Sequence, residues 1–286
     1  MTGDHLNVAK RAHVEHPYAV MRRVFHFTRT YVTTIRRVGA GRPSKLSLRD
    51  RLLMLFVYYR LYITSTLTSY LFDLDQSNVL KDMRRLEPLV REVMPIPERI
   101  YAATRRASTP EEVERYFPGF KASIDATEQE IPRPGRSDKR RSHYSGKKKR
   151  HTVKTQITVN EDGLIVHKTK HARGRRHDYD IFKKSHPRLP PGIEPTLDLG
   201  YEGIQKDFPE LNAHIPIKRR RKDEKLTDEQ RQYNGRLAKA RIVVEHTFSR
   251  MKKFRVMGEE FRNRLKSYDM MTDIVSGLVN LRILGA

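Results

Sequence analysis

The sequence predicts an all-α domain followed by a mixed α/β domain, and three observations carry that expectation. Short helical patterns separated by polar breaks fill residues 48–90. Two alternating segments joined by a turn signal occupy residues 151–172. A long amphipathic stretch then covers residues 228–254. Helices first, then strands backed by a long helix, fit two domains in series. The expected boundaries are a helical domain over 1–97, a linker over 98–117 and an α/β domain over 118–286.

Residues 17–38 read as a basic amphipathic helix, with Pro17 suited to its start and Gly39 just past its end. "GAGRPSKLS" (39–47) is a joint. Its Arg42 lies between residues that permit an extended path, the make-up of a minor-groove arm or of a plain linker. Ser47, followed three residues later by Asp50, resembles a capping box and opens a helix over 48–61. A second helix fits 65–73, and a third, capped by Asp75, fits 76–90. On the third, Val79, Leu80, Met83, Leu86 and Val90 share one face at helical spacing. Ser77, Lys81, Arg84 and Arg85 lie away from that face. Three short helices, the last apolar inside and basic outside, suit a helix-turn-helix whose last helix enters a major groove. A small bundle with a solvated charged face is the plainer alternative.

The pattern changes near residue 118. "HTVKTQITV" (151–159) alternates as a strand does, "NEDG" (160–163) is a hairpin turn signal, and "LIVHKTKHA" (164–172) reads as the antiparallel partner. "GIEPTLDLGYEGI" (192–204) holds a further short strand that ends at Asp198, and a final apolar helix fits 268–283.

Charge narrows the partner. The 286 residues carry 58 Lys and Arg against 34 Asp and Glu, a formal net charge of +24. A surplus of that size faces a polyanion or repels itself, and nucleic acid leads. A membrane surface is weaker, because the longest apolar run, "LLMLFVYY" (52–59), stops at Arg60 and is far too short to span. No apolar stretch of signal-peptide type opens the chain, so the expected location is cytoplasmic, nucleoid-associated in a prokaryote. The absence of cysteine excludes disulfides and thiolate metal sites.

Three carboxylates then stand out. In "SIDATEQEIP" (123–132) Asp125 follows a short apolar run and reads as ending a strand. Asp198 repeats that context in "TLDLGYEG". Glu245 follows three apolar residues in "ARIVVEHTFSRMKKF" (240–254), on the long helix. Taken singly, the aspartates suit turns and Glu245 suits an i, i+4 ion pair with Arg241. Converging, the three acids would form a hard, all-oxygen site suited to Mg²⁺ or Mn²⁺, whose charge offsets their mutual repulsion. Two such ions roughly 4 Å apart can activate a water or a 3′-hydroxyl and stabilise the leaving oxygen. A phosphodiester backbone is the substrate that suits both this chemistry and the charge.

"SIDAT", "LDLGYEG" and "NGRLAKARIVVEHTFSRMKKFR" together resemble the core of DDE transposases, in particular the compact bacterial insertion-sequence and Harbinger-like groups. The resemblance implies a ribonuclease H-like domain in which Asp125, Asp198 and Glu245 bind metal and catalyse. It matches Gly200 and Tyr201 to the pair after the second aspartate, and Asn234, Arg241 and Lys252 to positions around the glutamate. "GRRHDYDIF" (174–182), with His177 and Asp178, resembles the segment between the aspartates. The family's frequent Tyr three residues before the Arg is Ala238 here, a departure that leaves the acids untouched. Implied partners are element-end DNA and target DNA, bound by a dimer or larger assembly. Arg241, Lys252, Lys147 and Lys148 would hold phosphates, as would "KRRRK" (218–222), although solvated basic loops explain such runs equally. The competing function is a catalytically silent, transposase-derived DNA-binding protein, for which three acids would be unnecessary.

Overall fold

The computed structural model describes residues 44–98, 109, 111, 121–185, 187–189, 192–219 and 225–285. The helix expected over 17–38 and the candidate arm residue Arg42 lie outside them, as does most of the linker. The described chain forms two compact units: residues 44–96 with Lys253–Gly258 and residues 270–285, and the remainder up to Asp269.

The first unit begins with α1 (Leu48–Leu61), α2 (Ser65–Leu71) and α3 (Gln76–Val93). Ser47 caps α1 as its sequence implies: the Asp50 amide donates to Ser47 Oγ at 3.1 Å, and that hydroxyl reaches back to the Asp50 carboxylate at 2.6 Å. Thr64 caps α2 in the same way through the Leu67 amide. That helix stops two residues short of the sequence expectation, because Asp73 turns left-handed at φ 48°. The third helix instead runs three residues further than expected, past the exposed Pro88. Val79, Met83, Leu86 and Val90 are buried along one side, and tertiary packing of such a face outweighs a local breaker. Leu80, expected among them, is 38% exposed at the flank of the stripe. Ser77, Lys81, Arg84 and Arg85 are all exposed. Two polar ties lock the helices: Arg51 forks onto Asp82 at 2.7 and 3.0 Å, and the Tyr59 hydroxyl donates to buried Glu87 at 3.1 Å. Burial raises the Glu87 pKa.

Within the same unit the last helix, α8 (Tyr268–Leu284), returns from Met270 onward to the end of α3. Asn280 Nδ2 donates to the Pro95 carbonyl at 2.8 Å, Arg91 pairs with Asp273 at 2.8 Å, and Gly277 is overlain by Met94, which leaves no room for a Cβ.

The second unit is a mixed sheet with helices. Its strands are β1 (Ala122–Glu130), β2 (Tyr144–Ser145), β3 (Arg150–Val159), β4 (Ile165–Lys168), β5 (Ala172–Arg173) and β6 (Pro195–Thr196). The central path runs β2-β3-β1-β6, with β4 and β5 also paired to β3. Antiparallel β1 and β3 stay in register from Ser123↔Val159 to Glu130↔Thr152, while β6 runs parallel beside the start of β1. Asp125 therefore lies within β1, not at its end. The strand continues because its polar side chains find partners: Thr152 and Lys154 meet Glu128, and Gln129 donates to the Glu259 carbonyl.

The expected hairpin forms, with Asn160 Oδ1 accepting from the Asp162 and Leu164 amides and Gly163 at φ +84°. A Cβ on Gly163 would lie 2.6 Å from Thr247 Oγ1, so glycine is required twice over, by backbone conformation and by packing. Thr247 belongs to α7 (Asp228–Lys252), the long helix, which buries Leu237, Val244, Phe248 and Met251. Between the sheet's strands run α4 (Ser137–His143) and α5 (Asp178–Ser185), and α6 (Ile204–Asp207) follows β6. Ile124 of β1 packs with Phe182, Leu197, Tyr201, Ile204 and Ala213. Its neighbour Ser123 instead donates to the Ala240 carbonyl of α7 at 3.2 Å. Because side chains alternate along a strand, Asp125 shares the α7 face with Ser123.

Candidate active site

Parallel pairing of β1 with β6 sets the geometry. Ala122 faces Pro195 and Ser123 faces Thr196, so two residues further on each chain carries an aspartate, Asp125 and Asp198. Asp198 ends its segment by capping a 3₁₀ turn, accepting from the Leu199 amide at 2.8 Å. Asp125 Oδ1 accepts from the Ala126 amide at 2.7 Å. From α7, one guanidinium reaches both acids: Arg241 lies 3.0 Å from Asp198 Oδ1 and 4.0 Å from Asp125 Oδ2.

The two aspartates differ in environment. Asp125 is 20% exposed and Asp198 45%. Burial pushes the Asp125 carboxyl up to about 6, against the opposing Ala126 amide and Arg241, with Asp198 and Asp178 adding repulsion. Glu245, one turn beyond Arg241 on the same helix, is exposed, and among the described residues it has no polar partner. The i, i+4 pair with Arg241 does not form, since Arg241 turns to the aspartates. For the same reason Arg241 is not the free phosphate ligand that the sequence suggested. Its Nε is buried without a partner among the described residues.

Among the described residues no three His, Cys, Asp or Glu side chains approach closely enough to enclose a metal. The donor set nonetheless fits a hard divalent cation. Two carboxylates already share one cationic group, the third acid on the same helix is unpaired, and every candidate donor is oxygen.

The chain is similar in sequence to known proteins. The profile described as "DDE superfamily endonuclease" matches residues 124–280, more than half the chain. This chain belongs to the DDE endonuclease superfamily. A second profile, "Helix-turn-helix of DDE superfamily endonuclease", matches residues 44–96, the span of α1 to α3. The probable transposase for insertion sequence element IS702 of Microchaete diplosiphon is 31% identical over 246 residues, covering 85% of this chain and 83% of that protein. The putative transposase for insertion sequence element IS112 of Streptomyces albus G is 26% identical over 233 residues, covering 79% of each. No solved structure matches the chain. DDE endonucleases depend on divalent metal. The helical N-terminal region and the mixed sheet with helices are the two parts of a DDE protein with a ribonuclease H-like domain.

The remaining candidates in this DDE chain fall into three groups. Tyr201 and Asn234 hold the fold. Tyr201 is buried, accepts from Gln156 Nε2 at 2.6 Å, and has its pKa raised by burial first and by Asp125 and Asp178 next. Asn234 clamps Ile217 at two points, accepting from its amide at 2.8 Å and donating to its carbonyl at 3.0 Å. Asp178 accepts from Lys154 Nζ at 3.0 Å, and His177 is exposed beside it. Lys147, Lys148 and Lys252 carry exposed cations. Desolvation, followed by the neighbouring charge of Lys148, lowers the Lys252 pKa. Of the basic run over 218–222, Lys218 pairs with Glu202 at 3.5 Å, and residues 220–222 lie outside the described part. The sequence analysis missed Lys154 and Gln156. Both are polar residues at even positions of a strand, an alternation that reads as a solvated face, whereas β3 is buried on both faces from Thr152 to Val159.

Among the described residues, no helix is long and apolar enough to cross a membrane.

Proposed function

We propose that the chain is a transposase that binds the ends of a mobile element through α3 and cuts and joins DNA with Asp125, Asp198 and Glu245. The single observation that carries this reading is the convergence of Asp125 in β1 and Asp198, two residues past β6, on one cation from the helix that bears Glu245. A cation-seeking pair of acids in a protein of net charge +24 is a mismatch for any anionic substrate unless a metal neutralises the acids.

Mg²⁺ or Mn²⁺, as two ions held by the three acids, would supply an activated oxygen nucleophile and stabilise the departing one. The chain's own residues do the rest. Arg241 offsets the mutual repulsion of the two aspartates while no metal lies between them. Lys252, two turns after Glu245, and Lys148 beside it hold the backbone next to the cut. Lys81, Arg84 and Arg85, exposed on α3 with Ser77, meet the duplex at the element end. A dimer or larger assembly on DNA follows from the need to bring two ends together.

The test separates cutting from binding. Asp125→Ala, Asp198→Ala and Glu245→Ala should each abolish Mg²⁺-dependent nicking of element-end DNA while gel-shift affinity stays within about twofold. Full nicking by any one variant removes that residue from the site.

A further inference from the structure

A cleft of about 1040 Å³ opens in the second unit, and the acids described above do not account for it. Its walls come from the segment after β1, α4, the β2–β3 turn and the segment after β5. They carry Arg133, Arg140, Arg141, Lys147, Arg175 and Arg176. No ion pair engages any of these six among the described residues, and Arg140 Nε is buried without a partner. The cleft's two acids cannot neutralise them, because Glu128 and Asp178 both already face Lys154, at 3.5 and 3.0 Å.

The fold builds this concentration of charge deliberately at one point. Gly174 passes so close to β3 that a Cβ would stand 2.0 Å from Thr152 Oγ1 and 2.8 Å from the His143 carbonyl. That approach lets the Arg175 amide donate to the Ser142 carbonyl, which brings Arg175 and Arg176 against the end of α4 with Arg140 and Arg141. Six cations converging without counter-ions repel one another unless a polyanion lies among them.

An aromatic pair sits among the cations. Tyr144 of β2 is 42% exposed and packs edge-on against its cross-strand partner His151, with ring centroids 5.7 Å apart. Both rings line the cleft. A paired duplex offers base edges in its grooves and keeps base faces stacked, so an exposed ring gains little from it. An unpaired strand offers base faces, and a cation-lined groove with an aromatic platform is the arrangement that binds it.

We propose that this cleft holds a single strand of DNA, with arginines on its phosphates and Tyr144, braced by His151, under an unpaired base. The proposal rests on the reading that the chain acts on DNA and adds where an unpaired flanking strand would lie. Two charges connect the cleft to the residues described above: Asp178 lines it and also acts on Asp125, and Lys148, next to the lining Lys147, acts on Lys252.

The experiment uses the full chain without divalent metal and reads fluorescence anisotropy of a labelled deoxythymidine 20-mer and of a 20-base-pair duplex. Tyr144→Ala should weaken 20-mer binding about tenfold, and Tyr144→Phe should leave it unchanged, since stacking needs the ring and not the hydroxyl. Arg141→Ala, at an exposed position, should weaken the 20-mer and reduce its salt slope by about 0.7. Duplex affinity should hold in all three variants. Wild-type 20-mer binding by Tyr144→Ala overturns the proposal if the variant's thermal melt matches wild type, and unchanged binding by Arg141→Ala overturns it whatever Tyr144→Ala does. Equal loss on duplex and single strand also overturns it, assigning the cleft to paired DNA. Mg²⁺-dependent nicking by the wild-type protein reports separately on the activity. A protein that nicks but lacks Tyr144-dependent strand binding refutes the cleft alone, and one with the binding but no nicking refutes the activity alone.

Discussion

Arg51 and Arg241 each hold aspartate across a long stretch of chain, yet they are opposite kinds of contact. In the helix-turn-helix, Arg51 and Asp82 are 7% and 13% exposed and meet through two hydrogen bonds in a closed fork. In the sheet unit, Arg241 has one close contact at 3.0 Å, a second at 4.0 Å and a buried Nε with nothing to donate to. A closed pair fixes the approach of two helices and leaves no valence unused. An open one leaves acids and cation each able to exchange partners, which is what a site that must receive a ligand requires.

The difference can be broken in order of size. Arg51→Met should cost about 3–5 kcal/mol in denaturant unfolding, because Asp82 is left buried and unpaired. Replacing both partners, as Arg51→Met with Asp82→Leu, should recover most of that loss, and failure to recover would mean that the pair carries more than its own charges. His171 and Asp269 provide a case between the two. The carboxylate accepts from the His171 amide at 2.8 Å and meets its ring Nδ1 at 2.9 Å. Burial raises the Asp269 pKa, but the His171 side-chain hydrogen bond, Lys168 and the His171 amide together outweigh it, so the net shift is downward. A depressed carboxylate contributes stability above its unfolded pKa and loses it as pH falls through the folded one. Asp269→Asn should therefore cost about 1–2 kcal/mol at pH 7, with the gap to wild type closing as pH falls below about 4. The smallest stability effect is expected at the open contact: Arg241→Gln should change unfolding free energy by less than about 1 kcal/mol. It should also raise Mn²⁺ affinity about fivefold in calorimetry without DNA, since a competing cation leaves the acids. Unchanged affinity would show that Arg241 and metal do not compete.

How much of this was legible depends on how local the cause is. Ser47 and Asp50 announce α1, the apolar stripe of α3 announces its buried side, and "NEDG" announces the hairpin, because each acts within a few residues. From sequence Asp125 reads as a strand end because Thr127, Glu128 and Gln129 look like loop residues, whereas β1 continues to Glu130. Their partners, Thr152, Lys154 and the Glu259 carbonyl, lie far along the chain. The two-residue strands β2 and β5 carry no periodicity, so the basic cleft they help to build was invisible except as scattered arginines. Arg241 shows the same limit of local spacing. Helical spacing offers Glu245, and only the parallel register of β1 with β6 offers the aspartates.

The clamp of Asn234 on Ile217 has a consequence for how this chain tolerates change. Two hydrogen bonds tie Ile217 to a residue 17 positions further on, inside α7, so the connection from Ile217 to that helix is closed at its base. The entropy of closing such a loop grows only with the logarithm of its length, and doubling it costs roughly 0.6 kcal/mol. Insertions between Lys218 and Thr227 should thus be absorbed at little thermodynamic expense. This stretch is then a natural place to graft a tag or a reporter domain, held at a fixed root on the helix that carries Glu245.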